Sequence, residues 1–154
     1  MATVSTPSTQ TTFHLTDAKV KIWAIPIGRF CYSLLFIAAG LNHFNPGTID
    51  YAAQQGVPMA NILVPFSGLM AVVGGLSILL GYYARVGAGL IILFLIPVTY
   101  SMHHFWTITD PAMYQMQMVQ FMKNLALLGG AVLIAFYGAG SKSIDLLRPK
   151  KNVV

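Results

Sequence analysis

The sequence contains no glutamate and few charges of any kind. Only 8% of its 154 residues are Asp, Glu, Lys or Arg, against roughly 25% in a typical soluble domain. The acidic residues are isolated aspartates, which excludes acid–base catalysis by paired carboxylates. A single cysteine, Cys31, excludes an internal disulfide and any CxxC metal or redox pair. Glycine-rich nucleotide-binding motifs and the GxSxG motif of hydrolases are also missing.

Long apolar runs take the place of these motifs. Hydrophobic residues make up 56% of the chain, and residues 51–84, 86–109 and 124–141 carry no charge. A bilayer core about 30 Å thick is crossed by about 20 apolar residues in a helix. The sequence therefore predicts an all-α integral membrane protein, folded as a four-helix bundle in contact with lipid. The helices are expected at about 23–43, 64–82, 86–104 and 118–138.

The segments outside the membrane domain are expected to be tails. Residues 1–16 are rich in Ser, Thr, Gln and Pro, which predicts a flexible N-terminal tail, and 148–154 form a basic C-terminal tail. The membrane domain is expected to occupy residues 17–147. The net charge of +5 does not indicate a nucleic-acid partner, because the basic residues border apolar spans and form no stripe with aromatics.

The placement of Lys and Arg predicts the orientation of the bundle. Seven of these residues fall on one side of the predicted spans, and the two opposite loops contain none, only Asp50 and Asp110. Because basic loops stay in the cytoplasm, both termini are expected to be cytoplasmic, in a bacterial inner membrane. His43, His103 and His104 would then lie at the outer end.

These three histidines are the first candidates for chemistry. Ionisable residues in membrane spans are costly and point to function, and imidazole exchanges protons near neutral pH. We therefore expect His43, His103 and His104 to be catalytic residues of one outer layer. Because His103 and His104 are adjacent, they point about 100° apart on a helix. Only one of them is expected to face the bundle.

Polar residues of the third and fourth helices are expected to complete this layer. Tyr100 shares a helix face with His104, and Gln120, Lys123 and Asn124 follow within two turns on the fourth helix. Their donors suit the carbonyl of a quinone, so we predict that they bind such a cofactor.

Arg29 is a further candidate for cofactor binding, near the cytoplasmic end of the first helix. Two alternatives stay open for it. Its side chain either reaches the lipid headgroups or turns inward and pairs with a carbonyl, a carboxylate or a bound anion.

Two metal cofactors compete with the quinone. Imidazoles from the first and third helices would hold a haem iron. Outer histidines would hold copper(I) together with thioethers, which suit that soft ion. The thioethers are those of Met113, Met116, Met118 and Met122. Quinone is favoured over both, because histidine spacing alone selects no metal and methionines near an interface usually serve as adaptable apolar packing.

Short motifs spread over residues 27–147 carry a family resemblance. They are Gly28-Arg29, Gly40 to Phe44, Gly56-Val57-Pro58, Gly74-Gly75, Leu80-Gly81 with Arg85, His103-His104, Asn124 to Gly130, and Ser143-Ile144-Asp145. In this order and spacing, they make the chain similar to the DoxX family of small four-helix bacterial membrane proteins. That family includes the DoxD-type membrane subunit of thiosulfate:quinone oxidoreductase.

The resemblance implies a membrane subunit of a redox system that works with a redox partner protein and, in some members, passes electrons to quinone. An enzyme of this kind would be a quinone-dependent oxidoreductase subunit. The family pattern singles out Arg29, His43, His103 or His104, and Asn124. Family members often carry a glutamate where this chain has Ala71, so a proton carrier or acidic partner of Arg29 is missing there. The alternative function is a non-catalytic scaffold or anchor for a redox partner, with no cofactor of its own.

Overall fold

The computed structural model describes residues 9–147, with the side chains of residue 20 and of residues 22–147. Within this range the chain is helical and forms no strand, which confirms the all-α prediction. The helices are α1 (Thr9–Asn42), α2 (Pro46–Gln54), α3 (Ala60–Leu80), α4 (Ala84–Met102), α5 (Pro111–Tyr137) and α6 (Ile144–Leu147), with a 3-10 turn at Phe105–Thr107. Residues 1–8 and the predicted basic tail 148–154 lie outside the described residues.

Four of these helices are long and apolar enough to cross a bilayer, which confirms the predicted membrane bundle. The four spans are Ile22–Asn42, Ala60–Leu80, Ala84–Thr107 and Pro111–Tyr137. Large apolar side chains lie on their outer surfaces: Ile62, Leu93 and Phe136 are 66%, 61% and 74% exposed. In a soluble protein such a surface would be a liability, whereas here it faces lipid.

Two helices begin earlier than the sequence predicts. α1 begins at Thr9, inside the segment expected to be a tail. The helix therefore extends on its N-terminal side beyond the apolar stretch, which starts at Ile22. α5 begins at Pro111 rather than near residue 118. Asp110 caps it by accepting a hydrogen bond from the Met113 amide at 2.8 Å, and proline suits the first helical position. Hydropathy locates the apolar part of a helix and not its ends.

The helix α2 occupies a connection that the sequence predicts to be a loop. Asn45 caps α2 by accepting a hydrogen bond from the Gly47 amide at 2.9 Å, and Pro46 takes the first helical position. Ala52 of α2 packs against Ala60 and Val64 of α3 in a small apolar cluster. This cluster fixes α2 across one end of the bundle.

The closest helix contacts are made at glycines. α1 meets α3 where a Cβ atom built on Gly68 would lie 2.6 Å from the Gly40 carbonyl oxygen. α3 meets α4 where a Cβ atom built on Gly87 would lie 2.9 Å from the Gly74 carbonyl oxygen. Backbones this close gain dispersion energy, which holds membrane helices together where no hydrophobic effect acts between them.

The core of the bundle lies where α1, α3 and α4 meet, around the fully buried Phe36, Ile78 and Ile91. α5 joins this core through Tyr32 of α1, whose hydroxyl donates a hydrogen bond to the Leu127 carbonyl oxygen at 2.7 Å. The fourth span is thereby tied to the first by a polar contact between half-buried residues.

The two ends of the bundle are distinct. We call the end formed by residues 43–59 and 103–110 the histidine end, and the end formed by residues 81–83 and 138–147 the arginine end. Successive spans run in opposite directions, so α1 and α4 point the same way and both finish at the histidine end.

Candidate functional site

A cavity of about 390 Å³ lies under α2 at the histidine end, between α3 and α4. Its wall is mainly apolar, with Phe94 and Met70 among the lining side chains. The polar side chains in the wall are those of His43, Thr48, Ser67 and Ser101. On the rim, Phe66 and Leu93 are 58% and 61% exposed, so the cavity opens sideways towards the bilayer. Volume and lining are typical of a small-molecule site.

His43 is the histidine of this cavity. Its Nδ1 donates a hydrogen bond to the Ala39 carbonyl oxygen at 2.7 Å, and its ring lies edge-on to Phe94 with the centroids 5.5 Å apart. A carbonyl oxygen can only accept, so Nδ1 carries the proton and Nε2 of the neutral ring is an acceptor. Within the described part of the chain no residue bonds to Nε2. That nitrogen is therefore available to a ligand.

His43 lies deeper in the bundle than the other two histidines. A Cβ atom built on Gly68 would lie 2.6 Å from the Cβ of His43. Gly68 lies eight residues, or about 12 Å, from the start of α3. Phe94, its ring neighbour, precedes His103 by nine residues, or about 13 Å of helix. The histidines therefore do not form the single layer that the sequence predicts, because α1 ends inside the bundle rather than level with α4.

His103 and His104 have different surroundings. His103 faces α5, where its Nδ1 donates to the Oε1 atom of the buried Gln117 at 2.7 Å. His104 instead donates from Nδ1 to the Ser101 carbonyl oxygen at 2.9 Å, and its ring lies 6.4 Å from that of Trp106. Of the adjacent pair, His103 is thus the residue that faces the bundle.

A second cavity, of about 320 Å³, lies at the surface around His104. Tyr100 also lines it; this side chain is 70% exposed and its ring lies 5.8 Å from that of Trp106. Val57, Pro58 and Ser101 line both cavities, so they form the wall between them.

The polar residues predicted on α5 do not join His43. Asn124 is buried, Gln120 is half-buried and Lys123 is exposed. None of them lines either of the two cavities. Successive helix residues point about 100° apart, so Lys123 faces outward when Asn124 faces inward. Asn124 lies seven residues beyond Gln117, about 10 Å further into the bundle, close to the depth of His43 but without a hydrogen bond to it.

Arg29 takes the inward alternative and not the headgroup alternative. It is 6% exposed, and its Nη1 and Nη2 atoms donate to the carbonyl oxygens of Ala139 and Lys142 at 2.9 and 2.7 Å. Its Nε atom and the hydroxyl of Ser33, one turn along α1, have no partner among the described residues. Ala71 lies fully buried in the apolar core. Arg29 thus ties α1 to the chain after α5 and lies apart from both histidine-end cavities.

The residues present do not fit the two metal alternatives. In the described range no group of three His, Cys, Asp or Glu side chains is placed to hold a metal ion. His43 and His103 differ in depth and in neighbours, so they do not face each other across one haem. Of the four methionines predicted to bind copper, Met113, Met116 and Met122 lie exposed along α5. None of the four, Met118 included, lines the cavity of His43 or that of His104.

Four apolar spans, glycine-mediated helix contacts and a cavity that opens to lipid define a small helical protein of the bacterial inner membrane type. Within that class the chain belongs to the DoxX family, whose profile matches residues 24–104. The matched region covers α1 from residue 24, α2, α3 and α4, and therefore includes the wall of the His43 cavity.

Two curated proteins of Escherichia coli (strain K12) are similar over most of their length. Inner membrane protein YphA is 31% identical over 121 residues, which cover 77% of this chain and 86% of YphA. Inner membrane protein YqjF is 31% identical over 135 residues, which cover 86% of this chain and 98% of YqjF. No solved structure matches the chain. These relatives and the four spans make this chain an inner membrane protein.

Proposed function

We propose that the protein is a membrane subunit of a redox system and binds a quinone in the cavity beside His43. The observation that carries this proposal is the cavity: an apolar space of about 390 Å³ with one imidazole in its wall and an opening towards the bilayer. Quinones dissolve in the hydrocarbon core, so an opening between α3 and α4 gives them direct access. Family membership in a group with quinone-linked members supports the same assignment.

The lining fits both parts of a quinone. Apolar side chains such as Phe94 and Met70 suit its ring and isoprenoid chain, and His43 suits a ring oxygen. A protonated His43 donates from Nε2 to a quinone carbonyl, and a neutral His43 accepts from a quinol hydroxyl. In this proposal His43 exchanges a proton with the bound ring.

Reduction of a quinone to a quinol takes two electrons and two protons. We propose that a partner protein with its own redox centre supplies the electrons at the histidine end. In this proposal the two protons reach the ring one after the other from His43, which recovers each of them from water by way of the surface cavity that His104 lines, next to the shared wall at Ser101. His103 is held by Gln117 and positions α5 against this end. Gln120, Lys123 and Asn124 do not line the His43 cavity, so this proposal gives them no part in binding the quinone.

Binding of a short-chain ubiquinone to the purified protein in nanodiscs tests the proposal. His43→Ala removes one hydrogen bond to the ring and is expected to weaken binding about tenfold. His104→Ala alters the second cavity only and is the matched control, with an expected change below about twofold. Equal affinity of the wild type and His43→Ala would contradict the assignment. So would wild-type quinone reduction by a His43→Ala, His104→Ala double variant.

The exposed face of α5 favours a second function, a non-catalytic scaffold. Lys123 lies exposed on a membrane-spanning helix beside Val119 and Met122, which are 55% and 52% exposed. An ionisable group facing lipid is costly, so a partner helix that covers it would stabilise the assembly. An optical spectrum and lipid extract of the gently purified protein separate the two functions. Quinone in the extract supports the first; no cofactor together with a bound partner supports the second.

A further inference from the structure

A groove at the arginine end has binding features that the proposed function does not use. It has a volume of about 590 Å³ and lies between the start of α4 and the end of α5. Arg85, Val86, Tyr137 and Gly140 are among the residues that line it. One membrane span begins at Ala84 and another ends at Tyr137, so the groove lies at the level of the lipid headgroups.

Hydrogen-bond donors in this groove are left without acceptors. Arg85 is exposed and makes no hydrogen bond or ion pair with another described residue. The chain leaves α5 at Gly138, and the amides of Ala139 and Gly140 that follow donate to no described residue either. Both amides belong to residues in the groove wall. The groove therefore offers an exposed guanidinium, and two backbone amides of its wall have no acceptor among the described residues.

The electrostatic balance of this end is positive. Among the described side chains of this end, Arg29, Arg85 and Lys142 are basic, and the one carboxylate is that of Asp145, which also lines the groove. The two oxygens of Asp145 accept hydrogen bonds from the amides of Tyr83 and Ala84 at 2.8 and 3.0 Å, so this carboxylate caps α4. Charge complementarity thus favours an anion beside Arg85.

We propose that this groove binds the phosphate group of an anionic phospholipid headgroup. Arginine donates two parallel hydrogen bonds to phosphate oxygens, and successive backbone amides form a further anion site. Val86 and Leu146 line the same groove and are 62% and 70% exposed, which places apolar surface next to the phosphate position for the acyl chains. A free anion would leave that surface unused, so the occupant is a membrane lipid. This inference is independent of quinone binding.

Native mass spectrometry of the full chain, with phosphatidylglycerol or phosphatidylcholine added in detergent, tests the site. The wild type is expected to retain phosphatidylglycerol about tenfold better, because the charged headgroup gains charge-assisted hydrogen bonds. Arg85→Gln is expected to lose most of this preference, and Arg85→Lys to keep part of it. Lys142→Gln is the matched control: it removes the same charge at the same end from a residue that does not line the groove. Its preference should stay within about twofold of wild type.

Three results would overturn the proposal. Equal retention of the two lipids by the wild type would show that the groove does not select the charged headgroup. An equal loss in Lys142→Gln and Arg85→Gln would mean that overall charge, and not the groove, attracts the lipid. Displacement of phosphatidylglycerol by inorganic phosphate would assign the site to a free anion instead. Unchanged circular dichroism of Arg85→Gln confirms that the variant is folded before its lipid binding is compared.

Discussion

Carbonyl oxygens of the backbone accept hydrogen bonds from three polar side chains of the first span and its end. The donors are the side chains of Arg29 and Tyr32 in α1 and of His43, which directly follows α1. Their distances to the main-chain carbonyl oxygens are 2.7–2.9 Å. A carbonyl partner satisfies a buried donor without placing a negative charge inside the bilayer, which would be costly. This solution suits a chain without glutamate, and it explains how Arg29 is held in a bundle whose core carries the apolar Ala71.

Removal of the Arg29 guanidinium should destabilise the bundle. Arg29→Met leaves the carbonyl oxygens of the buried Ala139 and the exposed Lys142 without their donors, and a buried unsatisfied group costs about 1–3 kcal/mol. We expect the free energy of unfolding to fall by about 1–3 kcal/mol, mainly from the Ala139 contact, measured by steric trapping or denaturant unfolding in mixed micelles. Lys123→Met is the control, since the exposed Lys123 makes no hydrogen bond within the described chain. Equal losses in both variants would refute the role of the Arg29 contacts.

Individual site residues are only partly predictable from the sequence. Polarity marks His43, His103 and His104 as candidates. On a helix, however, two adjacent residues point in different directions and cannot both face one site: Lys123 is exposed and Asn124 is buried. The depth of His43 was also unpredictable. It depends on where α1 crosses α3 at Gly68, a long-range contact that no local pattern contains.

At the level of helices, α2 and the glycine contacts create the cavity. α2 contributes Thr48 and Ala52 to the cavity wall, and α3 and α4 provide most of the rest. The contact of Gly40 with Gly68 fixes the end of α1, and thereby His43, against α3. The position of the candidate site is therefore set by backbone packing.

A methyl group at Gly68 should disturb both stability and the site. Its Cβ would lie 2.6 Å from the Gly40 carbonyl oxygen and from the His43 Cβ, so α1 must move away. We expect Gly68→Ala to lower the free energy of unfolding by about 1–3 kcal/mol, as overpacking does, and to weaken ubiquinone binding. Gly89→Ala is the matched control, because a Cβ atom there would meet nothing within 4 Å. Unchanged stability and quinone affinity in Gly68→Ala would contradict this account of the crossing.

The membrane spans could be predicted from hydropathy, whereas α2 could not. A span needs about 20 apolar residues, and that signal is strong in four places along this chain. α2 has nine residues and begins with Pro46-Gly47, which also signals a turn. Asn45 before Pro46 was the available signal for a helix start, since a capping side chain before a proline is typical of that position.

For the molecule as a whole, the orientation in the membrane is a prediction from Lys and Arg placement. Cytoplasmic termini put the histidine end at the periplasm. A C-terminal fusion to green fluorescent protein should then fluoresce, and a fusion to alkaline phosphatase should be inactive. Thr109→Cys, made together with Cys31→Ala, should react with an impermeant maleimide added to whole cells. The reverse pattern would place the histidine end, and the proposed partner, in the cytoplasm.

The two ends of the bundle thus have separate proposed tasks. The histidine end holds the cavities that we assign to quinone and proton exchange, and the arginine end holds the groove that we assign to a phospholipid. They are linked by α4, which lines both the His43 cavity and the groove at Arg85. Variants of Arg85 should therefore leave ubiquinone binding within about twofold of wild type if the sites act independently.

Photoaffinity labelling of native membranes with an azido-ubiquinone, followed by mass spectrometric mapping, tests the central claim most directly. The cavity assignment predicts label on α3 between Leu63 and Met70 and on α4 between Leu93 and Met102. Unlabelled ubiquinone should compete for this label, and His43→Ala should reduce it. Label confined to α5 around Gln120 and Asn124, or no label that competes, would contradict quinone binding in the cavity beside His43.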